Sequence, residues 1–180
     1  MKEVQFINPL EVNFSRVQLE KLVCLINDVF FVAEGVLWPQ DGTYYRTTLA
    51  EVESYIAKGE LRFAMINEEI AGIVKVIKRN SDLGCFGMLV VDPKFRQHKL
   101  GSQLVELAEN VCIAQGMSRI ELELLVPNDF ILEDKEFLRE WYNRIGYKYE
   151  EKFPFESLYP SHAHLIQTSC RFEIMRKKLV

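Results

Sequence analysis

The run from Leu61 to Val126 constrains this chain more than any other part of it. Leu61–Ile66 and residues 70–77 are apolar and rich in β-branched side chains. The polar Asn67-Glu68-Glu69 between them predicts a hairpin. Residues 78–82 form a polar turn, and residues 85–91 predict a third strand that stops before Asp92-Pro93. Leu100, Leu104, Leu107, Ala108 and Val111 then recur at helical spacing, with Gly116 as the stop. Residues 120–126 predict another strand, in which Glu121 and Glu123 alternate with Ile120, Leu122 and Leu124. Strands on both sides of an amphipathic helix call for an α/β structure in layers.

The flanks extend this pattern. Residues 4–7 alternate weakly, as a first strand would. Ser15 with Gln18, and Thr48 with Glu51, are capping boxes that open two helices. The first carries Leu19, Leu22, Val23, Ile26 and Phe30; the second carries Leu49, Val52, Tyr55 and Ile56 and stops at Gly59. Phe137, Leu138, Trp141 and Ile145 predict a last helix closed by Gly146, and residues 147–153 and Cys170–Lys178 predict two closing strands. The expected architecture is a mixed sheet of about six to seven strands flanked by about four helices.

With 180 residues, 48% of them hydrophobic, the chain can build one sizeable core, so a single domain over residues 1–180 is expected. The net charge of −4 argues against nucleic acid as the partner. Neither a secretory signal nor an apolar run of membrane-spanning length is present, so a cytoplasmic protein with no membrane partner is expected. Cys24, Cys85, Cys112 and Cys170 are far apart, and three lie in apolar stretches, which suits buried reduced thiols. His98, His162 and His164 bring no cysteine at metal spacing, so no metal is expected.

The segment from Leu89 to Ser102 joins a buried strand, a short basic loop and the first turn of a long helix. A helix start offers unpaired N–H groups and partial positive charge, and Arg96, His98 and Lys99 add side-chain charge there. A pyrophosphate would be well held at such a place.

This segment resembles the acetyl-CoA signature of the GNAT superfamily of N-acetyltransferases, L-x-V-x-P-x-[FY]-R-x-x-G-x-G. The resemblance implies a GNAT fold with acetyl-CoA as co-substrate. Leu89, Val90 and Val91 would then pair through their backbone with the pantetheine arm. Arg96, Gln97, His98, Lys99, Leu100, Gly101 and Ser102 would wrap the pyrophosphate. The first glycine of R-x-x-G-x-G is Lys99 here, where a glycine would suit a positive φ or a close approach.

Trp141-Tyr142-Asn143-Arg144-Ile145-Gly146-Tyr147 is similar to a second family motif, [FW]-Y-x-[KR]-x-G-[FY], which implies Tyr142 as the general acid at the departing sulfur. By resemblance to the ribosomal-protein alanine acetyltransferases, Glu123 is the candidate base and Asn128, five residues on, the coenzyme-contacting asparagine. Residues 129–136 look like an insertion relative to that pattern, and Glu121 shares the face of Glu123. Glu34, Trp38, Tyr44, Tyr45, Arg46, His162 and His164 are candidates for the acceptor pocket. The resemblance implies direct transfer of acetyl to a primary amine, of a small molecule in the leading reading, and leaves a homodimer open. A protein N-terminal acetyltransferase and a non-catalytic acyl-CoA sensor are the alternatives.

Overall fold

The computed structural model describes residues 3–179. Its strands are β1 (Gln5–Ile7), β2 (Leu61–Ile66), β3 (Glu69–Lys78), β4 (Leu83–Val91), β5 (Arg119–Pro127), β6 (Lys148–Pro154) and β7 (Cys170–Lys178). Its helices are α1 (Arg16–Glu34), α2 (Leu49–Ala57), α3 (Leu100–Ala114), α4 (Glu133–Arg144) and the single turn α5 (Phe155–Leu158). The seven strands form one sheet in the order β1-β2-β3-β4-β5-β7-β6. Among the described strands only the β4–β5 pair is parallel, and α3 supplies the crossover that such a pair needs.

Both capping boxes form, at Ser15–Gln18 and at Thr48–Glu51. The hairpin is tighter than the sequence suggests. Asn67 and Glu68 both take positive φ, the geometry of a two-residue turn, and Glu69 already pairs with Ile66. The last long helix starts earlier than expected, at Glu133, so half of the apparent insertion is helix rather than loop. Phe137, read as part of its apolar face, is 61% exposed.

The two sheet faces are covered differently. One face packs against α3 and α4 in a single cluster that includes Phe86, Leu104, Leu122, Leu124, Tyr142 and Tyr147. Gly84 lets α3 lie close, since a Cβ there would stand 2.3 Å from Cys112 Sγ. The other face carries two separate clusters. The first gathers Leu22, Ile26, Val52, Phe63 and Val90 under α1 and α2. The second gathers Leu37, Trp38, Leu125, Phe155, Phe172 and Ile174. Between them, on the middle of β4 and β5, lie Cys85, Gly87, Glu121 and Glu123.

Candidate active site

The central strands part company at the level of these residues. β4 and β5 pair only from Leu83–Arg119 to Cys85–Glu121. Beyond that point β5 stays paired with β7 to its end, at Pro127–Cys170, while no ladder joins it to β4. A bulge in β4 accompanies the separation: Ile73 faces Val90, yet Lys75 faces Gly87, and Met88 takes φ 47. The β5-facing edge of β4 around Leu89, Val90 and Val91 is therefore open to an extended ligand that pairs through its own amides.

At the end of β4, Asp92 caps a 3-10 turn, Pro93–His98, by accepting from the Lys94 N–H at 2.8 Å. Phe95 anchors this turn in the core. Lys99 then adopts φ 53 and ψ 28, the left-handed conformation, and α3 begins with no side chain capping it. The first N–H groups of α3, at Leu100, Gly101 and Ser102, have no side-chain partner among the described residues. Arg96 and Lys99 are exposed beside them, and His98 is half-buried. The side chain of Gln97 lies outside the described part of the structure. A lysine holds the turn that glycine would make, at a strain of roughly 1–2 kcal/mol. Lys99→Gly should accordingly raise stability by up to about 1 kcal/mol, read as a higher urea midpoint. A lower midpoint would show that the Lys99 side chain supports the loop.

Tyr142 stands on the α3/α4 side of the opening. It is 6% exposed and packs edge-on to Phe86 at 5.9 Å and to Tyr147 at 5.9 Å. Its hydroxyl makes no hydrogen bond among the described residues, and burial raises its pKa well above that of a free tyrosine. Trp141 beside it approaches Gly101, whose missing Cβ would be 3.7 Å from the indole.

Glu123 stands on the opposite side of the same opening, and it is not free. It pairs with Arg79 and accepts a hydrogen bond from the Tyr159 hydroxyl at 2.7 Å. Arg79 also reaches Glu121 at 3.3 Å, and Glu121 pairs with Arg176 at 2.7 Å. Alternation alone could not separate the two glutamates. The structure distinguishes them: Glu121 is walled in by two guanidinium groups, whereas Glu123 lies where the strands open. Cys85 lies in the same cluster, its thiol pushed up to about 12 by burial, chiefly, and also by the two glutamates. It is held as a thiol and is a poor nucleophile.

The other sequence candidates fall elsewhere. Asn128 is engaged within the protein: its amide donates to Ser169 Oγ at 2.7 Å and its carbonyl accepts from Arg171 at 2.9 Å. It borders a shallow cavity of about 270 Å³ with Asp129, Phe130, Glu136 and Arg139. Glu34 is buried in an ion pair with Lys135. Trp38 stacks on Tyr44 at 3.9 Å, Tyr45 is exposed, and Arg46 lies over the Phe30 ring at 4.7 Å. His162 and His164 are exposed, with His162 bonded only to Ser161. The linking segment meets the site through Tyr159 instead. Arg79 and Gly87 were missed from sequence. Gly87 alone left a signal, as a lone glycine inside a strand pattern. Among the described residues no cluster of three or more His, Cys, Asp or Glu could hold a metal, and no helix is long and apolar enough to cross a membrane.

The mixed sheet parts between two central strands, beside a helix start with no side-chain cap. The chain belongs to the acetyltransferase (GNAT) family, whose model matches residues 22–132. A search of curated protein sequences finds no match. Among solved structures the chain is similar to an aminoglycoside 6'-N-acetyltransferase complexed with coenzyme A, at 18% identity and TM-score 0.64, covering 94% of this chain and 96% of that one. It is similar to a GNAT family acetyltransferase from Elizabethkingia anophelis with acetyl-CoA bound, at 13% identity and TM-score 0.61, covering 97% of each. A GNAT family acetyltransferase from Streptococcus pneumoniae gives 20% identity and TM-score 0.65, covering 98% of this chain and 99% of that one.

Proposed function

We propose that this enzyme moves the acetyl group of acetyl-CoA directly to a primary amine of a small molecule, within a ternary complex. The observation that carries the reading is the placement of Tyr142 and Glu123 on opposite sides of one opening in the sheet. A donor threaded along the free edge of β4 would have its pyrophosphate at the start of α3. The N–H groups of Leu100, Gly101 and Ser102, with Arg96 and Lys99, supply the positive field for it. The residues present fit such a group, because the edge is unpaired and the helix start is uncapped.

The amine nitrogen attacks the thioester carbon, the carbon–sulfur bond breaks, and the sulfur takes its proton from the Tyr142 hydroxyl. The amine gives up its own proton on the other side of the sheet. A carboxylate offers about four acceptor positions, and Arg79 and the Tyr159 hydroxyl use two of those of Glu123, so Glu123 can still receive that proton directly or through water. No covalent acyl-enzyme is needed, and Cys85 is unsuited to form one.

Calorimetric titration with acetyl-CoA tests the donor site, followed by thiol release across a panel of amines. Micromolar binding with thiol release is the expected result. No binding up to about millimolar, a free energy near −4 kcal/mol, would overturn the reading. Binding without thiol release from any amine would leave a sensor domain.

A further inference from the structure

The backbone of Glu123 is held firmly. It pairs with Ile174 in the β5–β7 ladder, which runs without a register shift from Arg119 to Pro127. Only the side chain is left to be oriented. The last torsion of a glutamate, which turns the carboxylate plane, has a broad and roughly two-fold preference. A general base has to stand within hydrogen-bond reach of the proton it takes, so its geometry must be fixed by neighbours.

Two groups touch the carboxylate, one on each oxygen. Arg79 pairs with Oε1, and the Tyr159 hydroxyl donates to Oε2 at 2.7 Å. They are not equivalent. The Arg79 guanidinium also reaches Glu121 at 3.3 Å and Cys85 Sγ at 3.5 Å, so it serves three groups at once. A tyrosine hydroxyl has one proton to give, and this one goes to Glu123. Burial, first, and the Glu123 charge raise the Tyr159 pKa against the opposing pull of Arg46 and Arg79. The hydroxyl therefore stays a donor past the ordinary tyrosine value of about 10. Tyr159 is itself anchored, between α5 and the 3-10 turn Pro160–His162. Its N–H donates to the Phe155 carbonyl at 2.9 Å, and its carbonyl accepts from the His162 N–H at 3.1 Å. Its ring packs against Phe155 at 5.9 Å and against Phe172 of β7 at 5.1 Å.

We propose that Tyr159 is a positioning residue for acetyl transfer: its hydroxyl sets the plane of the Glu123 carboxylate, so that the remaining acceptor positions meet the amine. This rests on the acetyl-transfer reading above. Arg79 balances the charge of the two glutamates, and Tyr159 aims one of them. The ring contacts hold the residue in place, which leaves the hydroxyl to act on Glu123 alone.

The test is a cycle of the wild-type protein, Tyr159→Phe, Glu123→Gln and the double variant. Phenylalanine keeps both ring contacts. Thiol release is followed with whichever of 1,4-diaminobutane, tyramine and kanamycin the wild type acetylates fastest, and the acetyl-CoA Kd is measured by calorimetry. Tyr159→Phe is expected to lower kcat about tenfold, with the amine KM and the acetyl-CoA Kd within about twofold of wild type. Glu123→Gln is expected to lower kcat about a hundredfold. The double variant should match Glu123→Gln within about twofold, because aim matters only while there is a carboxylate to aim. Losses that multiply in the double variant would overturn the proposal, by showing that Tyr159 acts apart from Glu123. A lower urea midpoint with wild-type kcat in Tyr159→Phe would also overturn it, since the hydroxyl would then only pin its segment to the sheet. So would a raised amine KM with unchanged kcat, which would make Tyr159 an acceptor contact, or wild-type kcat in Glu123→Gln. If the wild-type protein releases no thiol with any of the three amines, the transfer reading itself falls and takes this assignment with it, an outcome distinct from each of these.

Discussion

Tyr142→Phe is expected to lower kcat by about a hundredfold or more while leaving acetyl-CoA affinity within about twofold. The substitution keeps the ring, and the ring is what the core uses. Tyr142 is held edge-on by Phe86 and Tyr147 and flanked by Trp141, all contacts that phenylalanine preserves. The hydroxyl has no hydrogen-bond partner among the described residues to lose. What disappears is the proton for the departing sulfur, an interaction made only as the carbon–sulfur bond breaks, so the loss belongs in kcat. Equal turnover by the variant would remove Tyr142 from the role.

The pH profile offers a second readout of the same group. Burial raises the Tyr142 pKa, so the hydroxyl keeps its proton past the ordinary tyrosine value of about 10. Rising pH deprotonates the acceptor amine and should raise kcat/KM. No descending limb from Tyr142 should appear below about pH 10. A fall in kcat/KM beginning near neutrality would point to a different acid.

The architecture was legible because each element carried its own signal. Capping boxes marked the starts of α1 and α2, and apolar periodicity marked α3 and the central strands. The strand, turn and helix start of the candidate donor loop were legible because they are continuous in sequence, from Leu89 to Ser102. The residues around the β4–β5 opening were not, because they come from four separate places. Arg79 belongs to a turn that looks merely solvated, Gly87 to a strand, Glu123 to another, and Tyr159 to an irregular segment. They meet only because β4 and β5 pair at one end and part at the other. No local pattern encodes that juxtaposition. His162 and His164 have suitable chemistry and lie exposed on the same segment, whose Tyr159 is the residue that bonds to Glu123. Lys99 reads from sequence as a departure from glycine, yet the backbone there adopts the glycine-like turn all the same.

Glu34→Ala is expected to cost about 3–5 kcal/mol of stability, because it strands Lys135 without its counter-charge. The two side chains are 8% and 4% exposed, so water cannot replace the lost partner. For a chain of this size the loss corresponds to roughly 2–4 °C of Tm per kcal/mol. The pair joins the last residue of α1 to the first turn of α4 across 101 positions of sequence. Those helices cover opposite faces of the sheet, and α4 carries Tyr142. Removing both charges together should be far milder: Glu34→Leu with Lys135→Met is expected to restore most of the loss, since an apolar pair of similar volume carries no desolvation cost. Urea unfolding of the two single variants and the double variant measures the coupling directly. A single-variant loss below about 1 kcal/mol would show that the pair is hydrated in solution and ties nothing together. Restored stability with lost turnover in the double variant would instead show that the charges, beyond their packing, hold α4 and Tyr142 at the right depth.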